Sequence, residues 1–252
     1  MSRERKPILL VTGGARGIGA AIVRLAAKAG YAVAINYLHA ANEAHALAQS
    51  IQQQGGLAFA IQADVSNEED VVKMFKEVDQ HLGTITALVN NAGIVDQKAR
   101  VSEMHLDRLQ KIFATNVFGS FLCSREAVLR MSTQSGGHGG VIVNISSIAS
   151  RLGSPGQYVD YAASKAAIDT LTTGLAKEVA SEGIRVNAIS PGIIDTEIHA
   201  SGGEPDRVKE AGPMIPIGRV GTAEEVANAV LWVLSDKASY VTGACIDVSG
   251  GR

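Results

Sequence analysis

The stretch TGGARGIG, residues 12–19, follows the first strongly apolar run of the chain, PILLV at residues 7–11. Gly13, Gly17 and Gly19 form a G-x-x-x-G-x-G pattern between a predicted strand and a predicted helix. Gly13 allows a tight turn, Gly17 lets the backbone approach a pyrophosphate, and Gly19 permits close helix packing. Because the N-terminus of the following helix attracts phosphates, the stretch predicts a dinucleotide-binding βαβ unit. The alternative is a glycine-rich turn that serves packing alone.

The rest of the chain continues this alternation between short β-branched runs and stretches with helical spacing. The predicted strands are PILLV, YAVAIN, LAFAIQ, ITALVN, GVIVNIS, IRVNAIS and ACIDV, and the predicted helices span residues 17–29, 40–54, 67–82, 102–132, 157–182 and 222–235. Continuous apolar runs are typical of parallel strands covered on both faces. We therefore predict an α/β fold: one domain, residues 1–252, with a doubly wound, parallel, seven-stranded sheet. Ligands of such sheets bind beyond the carboxyl ends of the strands.

One segment interrupts this rhythm. The stretch HASGGEPDRVKEAGPMIPIG, residues 199–218, holds three of the six prolines and has no strong period. A loop of this length in a compact domain is usually functional. We predict a substrate loop or lid with room for one short helix, and the alternative is a disordered surface excursion.

Composition limits the classes of protein to consider. The 252 residues are 46% hydrophobic and 19% charged, and a net charge of -2 gives no general reason to bind nucleic acid or anionic membrane. No apolar run reaches the roughly 18 residues of a membrane span and no leader pattern opens the chain, so we expect a cytoplasmic protein. Cys123 and Cys245 form no CxxC and the histidines form no HExxH, so we predict neither a disulfide nor a metal site.

The end of the second predicted strand bears on which dinucleotide binds. An Asp or Glu there would hydrogen-bond the adenine ribose and repel a 2′-phosphate. The strand ends instead with Asn36, and no carboxylate follows before Glu43. Arg16 in the glycine turn offers a guanidinium to that phosphate. We therefore predict a preference for NADP(H) over NAD(H), the alternative for Arg16 being a solvated turn residue.

The stretch YAASKAAIDTL, residues 161–171, places Tyr161 and Lys165 four residues apart on a predicted helix. Side chains at this spacing lie one above the other. The pKa of a free tyrosine is about 10, and a neighbouring cation lowers it by about 1 to 3 units. The pair therefore predicts a tyrosine tuned for proton exchange. Taken alone, the spacing is equally compatible with two solvent-exposed residues on a helix surface that have no catalytic role.

Several weakly specific motifs occur in a highly specific order along essentially the whole chain: TGGARGIG, ADV at 63–65, NNAG at 90–93, TN at 115–116, a Ser followed by YAASK, PG at 191–192 and the closing YVTGACIDVSGG. In this the sequence resembles the short-chain dehydrogenase/reductase (SDR) family. Within the family it is similar to bacterial 3-oxoacyl carrier-protein reductases and glucose dehydrogenases. The resemblance implies a Rossmann-type fold, a nicotinamide dinucleotide cofactor and, usually, a homotetramer.

The resemblance also implies catalytic roles. Tyr161 would exchange a proton with the substrate oxygen while hydride passes to or from the nicotinamide, and Lys165 would also bind the nicotinamide ribose. Ser147 would hydrogen-bond the substrate carbonyl or hydroxyl, and Asn116 would hold a proton-relay water near Lys165. Ser146 is the rival of Ser147. Strand alternation lets only one of the two reach the site, and the family pattern favours Ser147.

The predicted cofactor contacts combine the glycine turn, the end of the second strand and the family pattern: Gly13, Arg16, Gly17, Ile18, Gly19, Asn36, Asp64, Val65, Asn91, Ala92, Gly93, Tyr161, Lys165, Pro191, Gly192, Ile194 and Thr196. Asp64 is alternatively a cap for the helix that starts near Asn67, and Asn90 alternatively braces a neighbouring strand. The chain departs from the family at one point. Its Ser and Tyr are fourteen residues apart rather than thirteen, which leaves substrate-facing loop positions undetermined.

These observations favour reversible, NADP-linked reduction of a ketone or oxidation of a secondary alcohol, with a small-molecule substrate. Related enoyl reductases place six residues between Tyr and Lys, and epimerases of this fold have a tighter glycine turn. From Met131 to Ser150 there is no Lys or Arg, which argues weakly against an acidic carrier protein on that side. The alternative of a different class is a catalytically silent dinucleotide-sensing or scaffold protein, which would not need all four catalytic residues.

Overall fold

The computed structural model describes residues 6–197, 202–204 and 207–252. Its single sheet has seven parallel strands in the order β3-β2-β1-β4-β5-β6-β7. The strands are β1 (Ile8–Val11), β2 (Ala32–Tyr37), β3 (Ala58–Gln62), β4 (Ala87–Asn90), β5 (Gly140–Ile145), β6 (Ile184–Pro191) and β7 (Cys245–Val248). The predicted doubly wound sheet is confirmed. The strand order reverses direction between β1 and β4, where such folds bind ligands.

Helices cover both faces of the sheet. They are α1 (Gly17–Lys28), α2 (Ala41–Gln53), α3 (Glu68–His81), α4 (Leu106–Phe113), α5 (Gly119–Met131), α6 (Ala149–Leu152), α7 (Val159–Val179), α8 (Arg207–Ala211) and α9 (Ala223–Leu234). Neighbouring strand residues serve opposite layers: Leu9 packs in the layer under α1, α2 and α9, and Leu10 in the layer under α3, α5 and α7. Because both faces are covered, the strands read as continuous apolar runs.

The predicted helix over 102–132 is interrupted. In the structure α4 begins at Leu106, and the residues Ala114–Phe118 form a π-helical turn before α5. Such turns occur frequently at functional sites, and this one contains Asn116. Within this wider turn, the Asn116 side chain is hydrogen-bonded to both the N–H and the carbonyl oxygen of Ile94. Helical periodicity does not predict this contact, because the two residues are far apart in the chain.

The other helices follow the predicted ranges to within a few residues. The predicted helix over 157–182 is α7 followed by a 3₁₀ turn, Ala180–Glu182, and the four-residue α6 was not predicted because it is too short to show a period. Of the predicted loop 199–218, residues 199–201 and 205–206 lie outside the described residues. The remainder contains α8 and a 3₁₀ turn, Gly212–Met214.

Among the described residues, no helix has the length and apolar character needed to cross a bilayer. The same part of the chain contains no group of three or more His, Cys, Asp or Glu side chains placed to hold a metal ion. Cys123 and Cys245 are both free thiols.

Candidate active site

The glycine turn is held against the end of β4. The Thr12 hydroxyl oxygen accepts from the backbone N–H groups of Asn91 and Ala92 at 2.9 and 3.0 Å. The Asn91 amide in turn donates to the carbonyl oxygens of Thr12 and Gly13. Gly13 adopts a φ of 59°, in the left-handed region that favours glycine. A Cβ atom at Gly19 would collide with the Gly13 carbonyl oxygen, so the spacing of these glycines is a steric requirement of the turn.

A cleft of about 350 Å³ opens over this turn and joins a second cavity of about 410 Å³. The two cavities share Ile18, Asn91, Gly93, Val95 and Thr196 in their walls. All of the predicted cofactor contacts line one or the other. The first cleft includes Gly13, Arg16, Gly17, Gly19, Asn36, Asp64, Val65 and Ala92, and the second cavity includes Tyr161, Lys165, Pro191, Gly192 and Ile194. This continuous groove, with glycine backbone beneath a helix N-terminus, fits a dinucleotide.

Asn36 has a different local role from the one its position suggests. Its side chain is buried, with Oδ1 accepting from the Gly13 N–H at 3.2 Å and Nδ2 donating to the Ala63 carbonyl at 3.0 Å. It therefore ties β2 to the glycine turn. β2 extends one residue further than predicted, to Tyr37, and the exposed residues Leu38 and His39 that follow it line the cleft. These two residues were not predicted from the sequence.

Arg16 stands at the mouth of the first cleft. It precedes α1, and its guanidinium forms an ion pair with Glu197 at 3.6 Å, both side chains being exposed. Asp64 lines the cleft as predicted, but it does not cap α3. Its Oδ1 accepts from the backbone and hydroxyl of Ser66, while the cap of α3 is Asn67.

Two of the predicted catalytic side chains meet where β5 ends against α7. Ser147 and Tyr161 both line the second cavity, and the Ser147 hydroxyl acts to lower the pKa of Tyr161. Lys165 Nζ donates to the Ile145 carbonyl at 2.7 Å and lies 5.6 Å from the centre of the Tyr161 ring. The hydroxyl of the rival Ser146 is directed to the Asp169 carboxylate at 2.5 Å. The geometry therefore brings Ser147, rather than Ser146, to the tyrosine.

The pKa of Tyr161 differs from the expectation drawn from helix spacing. Burial raises it to about 12, and the hydrogen bond with Ser147 opposes this rise. Burial lowers the pKa of Lys165 to about 8, and the Asp169 carboxylate opposes that change. Loss of hydration is the largest influence on the Tyr161 pKa, and the Lys165 ammonium is directed to the Ile145 carbonyl oxygen.

Asn116 lies behind the cavity rather than in its wall. Its Oδ1 accepts from the Ile94 N–H at 2.8 Å, and its Nδ2 donates to the Ile94 carbonyl and the Ser164 hydroxyl, each at 3.0 Å. A Cβ atom at Gly93 would lie 3.5 Å from both Asn116 Oδ1 and Lys165 Nζ. The side chain thus braces the segment after β4 beside the lysine. Asn90 braces β5 in a similar way, donating to Asn144 at 2.9 Å.

The far end of the second cavity is closed by contacts that the sequence analysis missed. The Tyr158 hydroxyl donates to Glu204 at 2.9 Å and is bonded to the Gly202 carbonyl oxygen at 3.3 Å, and Glu204 forms an ion pair with Lys98. The cavity wall between these contacts and Tyr161 is mainly apolar: Val95, Ile148, Leu152, Pro155 and Ile193. Tyr158 therefore fastens the segment 202–204 and does not replace Tyr161.

The segment between Ser147 and Tyr161, which is one residue longer than the family pattern, contains α6 and a turn with three left-handed residues. Gly153 and Gly156 have φ values of 73° and 69°, and between them Ser154 has a φ of 46°. A serine in the left-handed region is uncommon, and such conformations cluster at functional sites. Ser154 lines the second cavity, so this segment contributes to the cavity wall.

Comparison with known proteins agrees with this geometry. A family model described as enoyl-(acyl carrier protein) reductase matches residues 13–252. The uncharacterized oxidoreductase YgfF of Escherichia coli K12 is 59% identical over 248 residues, which cover 97% of this chain and 99% of that protein. The 3-oxoacyl-[acyl-carrier-protein] reductase FabG of Staphylococcus aureus Mu50 is 40% identical over 245 residues, 96% of each chain.

Solved structures extend the agreement to three dimensions. A short-chain type dehydrogenase/reductase from Mycobacterium marinum superposes with a TM-score of 0.90 at 36% identity, covering 97% of this chain and 94% of that one. A blue fluorescent protein from a metagenomic library, in complex with NADPH, gives a TM-score of 0.88 at 34% identity, with 97% of both chains covered. The fold, the joined clefts and these full-length relatives together establish that the chain is an oxidoreductase of the short-chain dehydrogenase/reductase family.

Proposed function

We propose that this protein is an NADP(H)-dependent oxidoreductase that interconverts a ketone and a secondary alcohol, with Tyr161 as general acid/base. The observation that carries the proposal is the placement of Ser147 and Tyr161 together in the wall of the cavity that continues the dinucleotide cleft. Such a pair offers two donors to one substrate oxygen, where charge develops during carbonyl reduction.

A nicotinamide dinucleotide bound in the cleft supplies or accepts the hydride. Tyr161 donates a proton to the substrate oxygen during reduction. With a pKa raised to about 12, its hydroxyl is protonated near neutral pH and therefore carries the proton that reduction requires. Ser147 holds the same oxygen by hydrogen bonding. In the oxidation direction the tyrosine must act as a base, and the Lys165 ammonium stabilises the phenolate that this requires.

Asn116 has a supporting place in this proposal. Its amide fixes the backbone of Ile94 and the hydroxyl of Ser164, and these contacts hold the wall beside Lys165. A relay water between Asn116 and Lys165 remains part of the proposal. Its support is the placement of both side chains around Gly93.

The cavity wall favours an uncharged substrate with an apolar body. Apart from Lys165 and Arg252, the described side chains that line the second cavity are uncharged, and several are aliphatic. Burial of aliphatic substrate groups against such a wall contributes about 25 cal/mol per Å² of buried apolar surface to the binding free energy. A relative named 3-oxoacyl-[acyl-carrier-protein] reductase makes 3-oxoacyl thioesters a rational first substrate class to test, beside simple ketones.

Preference for the phosphorylated cofactor rests on the cleft beyond β2. Arg16 and His39 line this region, and no Asp or Glu occurs from Asn36 to Ala40. A guanidinium binds a phosphate strongly. The NADPH complex among the structural relatives is consistent with this proposal. Glu197 opposes it, because it already pairs with Arg16.

Enoyl reduction is a second candidate because the matching family model carries that description. The three residues between Tyr161 and Lys165 favour carbonyl reduction instead, since related enoyl reductases have six. A catalytically silent dinucleotide sensor is the third alternative. A sensor of this kind would need neither the Ser147–Tyr161 pair nor the adjoining cavity.

We also propose that the protein assembles as a homotetramer. Phe118, Phe121 and Leu129 are exposed around α5, and Trp232 is exposed on α9. Exposed apolar side chains on helices of both faces of the sheet offer candidate interfaces. Sedimentation velocity tests the proposal, and a purely monomeric profile would refute it.

The reaction is tested by titrating NADPH and NADH fluorescence and then adding ketones, 3-oxoacyl thioesters, aldoses and enoyl thioesters. Tyr161→Phe should reduce turnover of the best substrate by about 10²-fold or more while the Kd for the cofactor stays unchanged. The matched control is Tyr31→Phe, the same change beside β2 at the opposite end of the sheet. Equal loss in both variants, or cofactor binding without turnover on the whole panel, would reject the proposed reaction.

A further inference from the structure

Asp169 is a carboxylate that the proposed reaction leaves unused. It lies one helical turn beyond Lys165 on the same face of α7. Its Oδ1 accepts the 2.5 Å hydrogen bond from Ser146, and the Ser146 hydroxyl also lies 3.2 Å from the Lys165 carbonyl oxygen. On the other side, Cys245 of β7 lies near the same carboxylate, which contributes to raising the pKa of its thiol. Asp169 therefore joins β5, α7 and β7 directly behind the lysine.

Lys165 needs a compensating charge. The side chain is 5% exposed, and its ammonium has the Ile145 carbonyl oxygen as a hydrogen-bond acceptor. A buried cation that has only neutral partners tends to lose its proton. The direction of the effects on the Lys165 pKa agrees with this reasoning, since burial lowers the pKa and the Asp169 carboxylate raises it.

The other ionisable groups packed around this pair do not replace Asp169. They are Tyr161 on α7, Arg151 on α6, and Cys245 and Asp247 on β7. Tyr161 and Cys245 are neutral near pH 7, because burial raises the pKa of the phenol to about 12 and that of the thiol to about 11. Asp247 is paired with Arg151 at 2.5 Å.

We propose that Asp169 is a positioning residue of the active site, whose carboxylate holds the positive charge on Lys165 and fixes the end of β5 against α7. The inference rests on the proposed function for its catalytic meaning, because only there does the lysine charge assist Tyr161. The electrostatic effect of Asp169 on Lys165 is a property of the folded chain. It is measured without substrate.

The test is an NMR titration of protein labelled with ¹³Cε-lysine, in which the Lys165 signal is assigned by its loss in Lys165→Met. Asp169→Asn should lower the titration midpoint of Lys165 by about one pH unit or more. Asp169→Glu, which keeps the charge, should restore most of the shift. Ser146→Ala, which removes one hydrogen bond but keeps the carboxylate, should shift the midpoint much less than Asp169→Asn.

An unchanged Lys165 midpoint in Asp169→Asn would overturn the inference, whatever the enzyme's activity. If the midpoint shifts and the wild type turns over a substrate, the alkaline limb of its pH–rate profile should move in the same direction in Asp169→Asn. If Asp169→Asn does not fold, folding of the double variant Asp169→Asn/Lys165→Met decides whether the carboxylate acts on the lysine. Folding of the double variant supports the pairing, and failure of both shows that the carboxylate serves the fold rather than the lysine.

Discussion

The Lys165 ammonium donates a 2.7 Å hydrogen bond to the carbonyl oxygen of Ile145, the last residue of β5. The bond places a charged group inside the protein at the carboxyl edge of the sheet. Retaining that charge is unfavourable for folding, because burial lowers the pKa of Lys165 from 10.5 to about 8. Natural proteins commonly accept such a cost at functional sites.

This cost predicts a pH-dependent gain from Lys165→Met. The unfolded lysine binds more protons than the folded one between pH 8 and 10.5, so the cost is fully present below pH 8 and fades toward pH 10.5. We expect the variant to exceed the wild type by up to about 3 kcal/mol in free energy of unfolding near pH 7, and by much less near pH 10.5. Urea denaturation at both pH values measures this, and a pH-independent difference would contradict it.

Ser147→Ala and Ser146→Ala form a matched pair for the strand end. Ser147 lines the second cavity together with Tyr161, whereas the Ser146 hydroxyl is directed to Asp169. Loss of a donor to the substrate oxygen should lower kcat about 10²-fold or more in Ser147→Ala. Ser146→Ala should lower kcat far less while reducing stability by about 1 to 2 kcal/mol. Steady-state kinetics with urea denaturation checks both, and the reverse order would assign the site to Ser146.

Arg16→Ala should weaken NADPH binding selectively. A hydrogen bond to a charged group contributes about 1.5 to 3 kcal/mol, so the Kd for NADPH should rise roughly 10- to 100-fold while the Kd for NADH changes little. Glu197→Gln should lower the Kd for NADPH, because it removes the carboxylate that pairs with Arg16. Fluorescence titration of both cofactors measures the effects. Parallel weakening of NADPH and NADH would show that Arg16 shapes the turn rather than selecting the phosphate.

Tyr158→Phe should affect the substrate more than the cofactor. The variant loses the hydroxyl contacts with Glu204 and Gly202 that hold the segment 202–204 at the end of the second cavity. We expect KM for the substrate to rise several-fold, in line with about 1 kcal/mol for a hydrogen bond. The Kd for the cofactor should stay within about twofold. Kinetics and cofactor titration separate the two, and an unchanged KM would exclude a role for this contact in substrate binding.

Local sequence patterns were sufficient to predict the sheet, the glycine turn and part of the candidate active site. Continuous apolar strands predicted the parallel sheet because both faces are covered. The glycine spacing predicted the turn after β1 because the Gly13 carbonyl leaves no room for a side chain at Gly19. The four-residue interval between Tyr161 and Lys165 placed them on one face of α7 because helix geometry is local and regular.

Tertiary contacts decided what those side chains do. Strand alternation separates Ser146 from Ser147, but only packing against α7 sets which one meets Tyr161. The inward direction of Asn36, the π turn at Asn116 and the contact of Tyr158 with Glu204 all depend on partners more than twenty residues away in the chain. The pKa of Tyr161 followed burial rather than helix spacing. Desolvation and long-range hydrogen bonds are properties of the assembled layers, so the sequence by itself determined the residues of the site and the folded structure alone decided their orientation and charge.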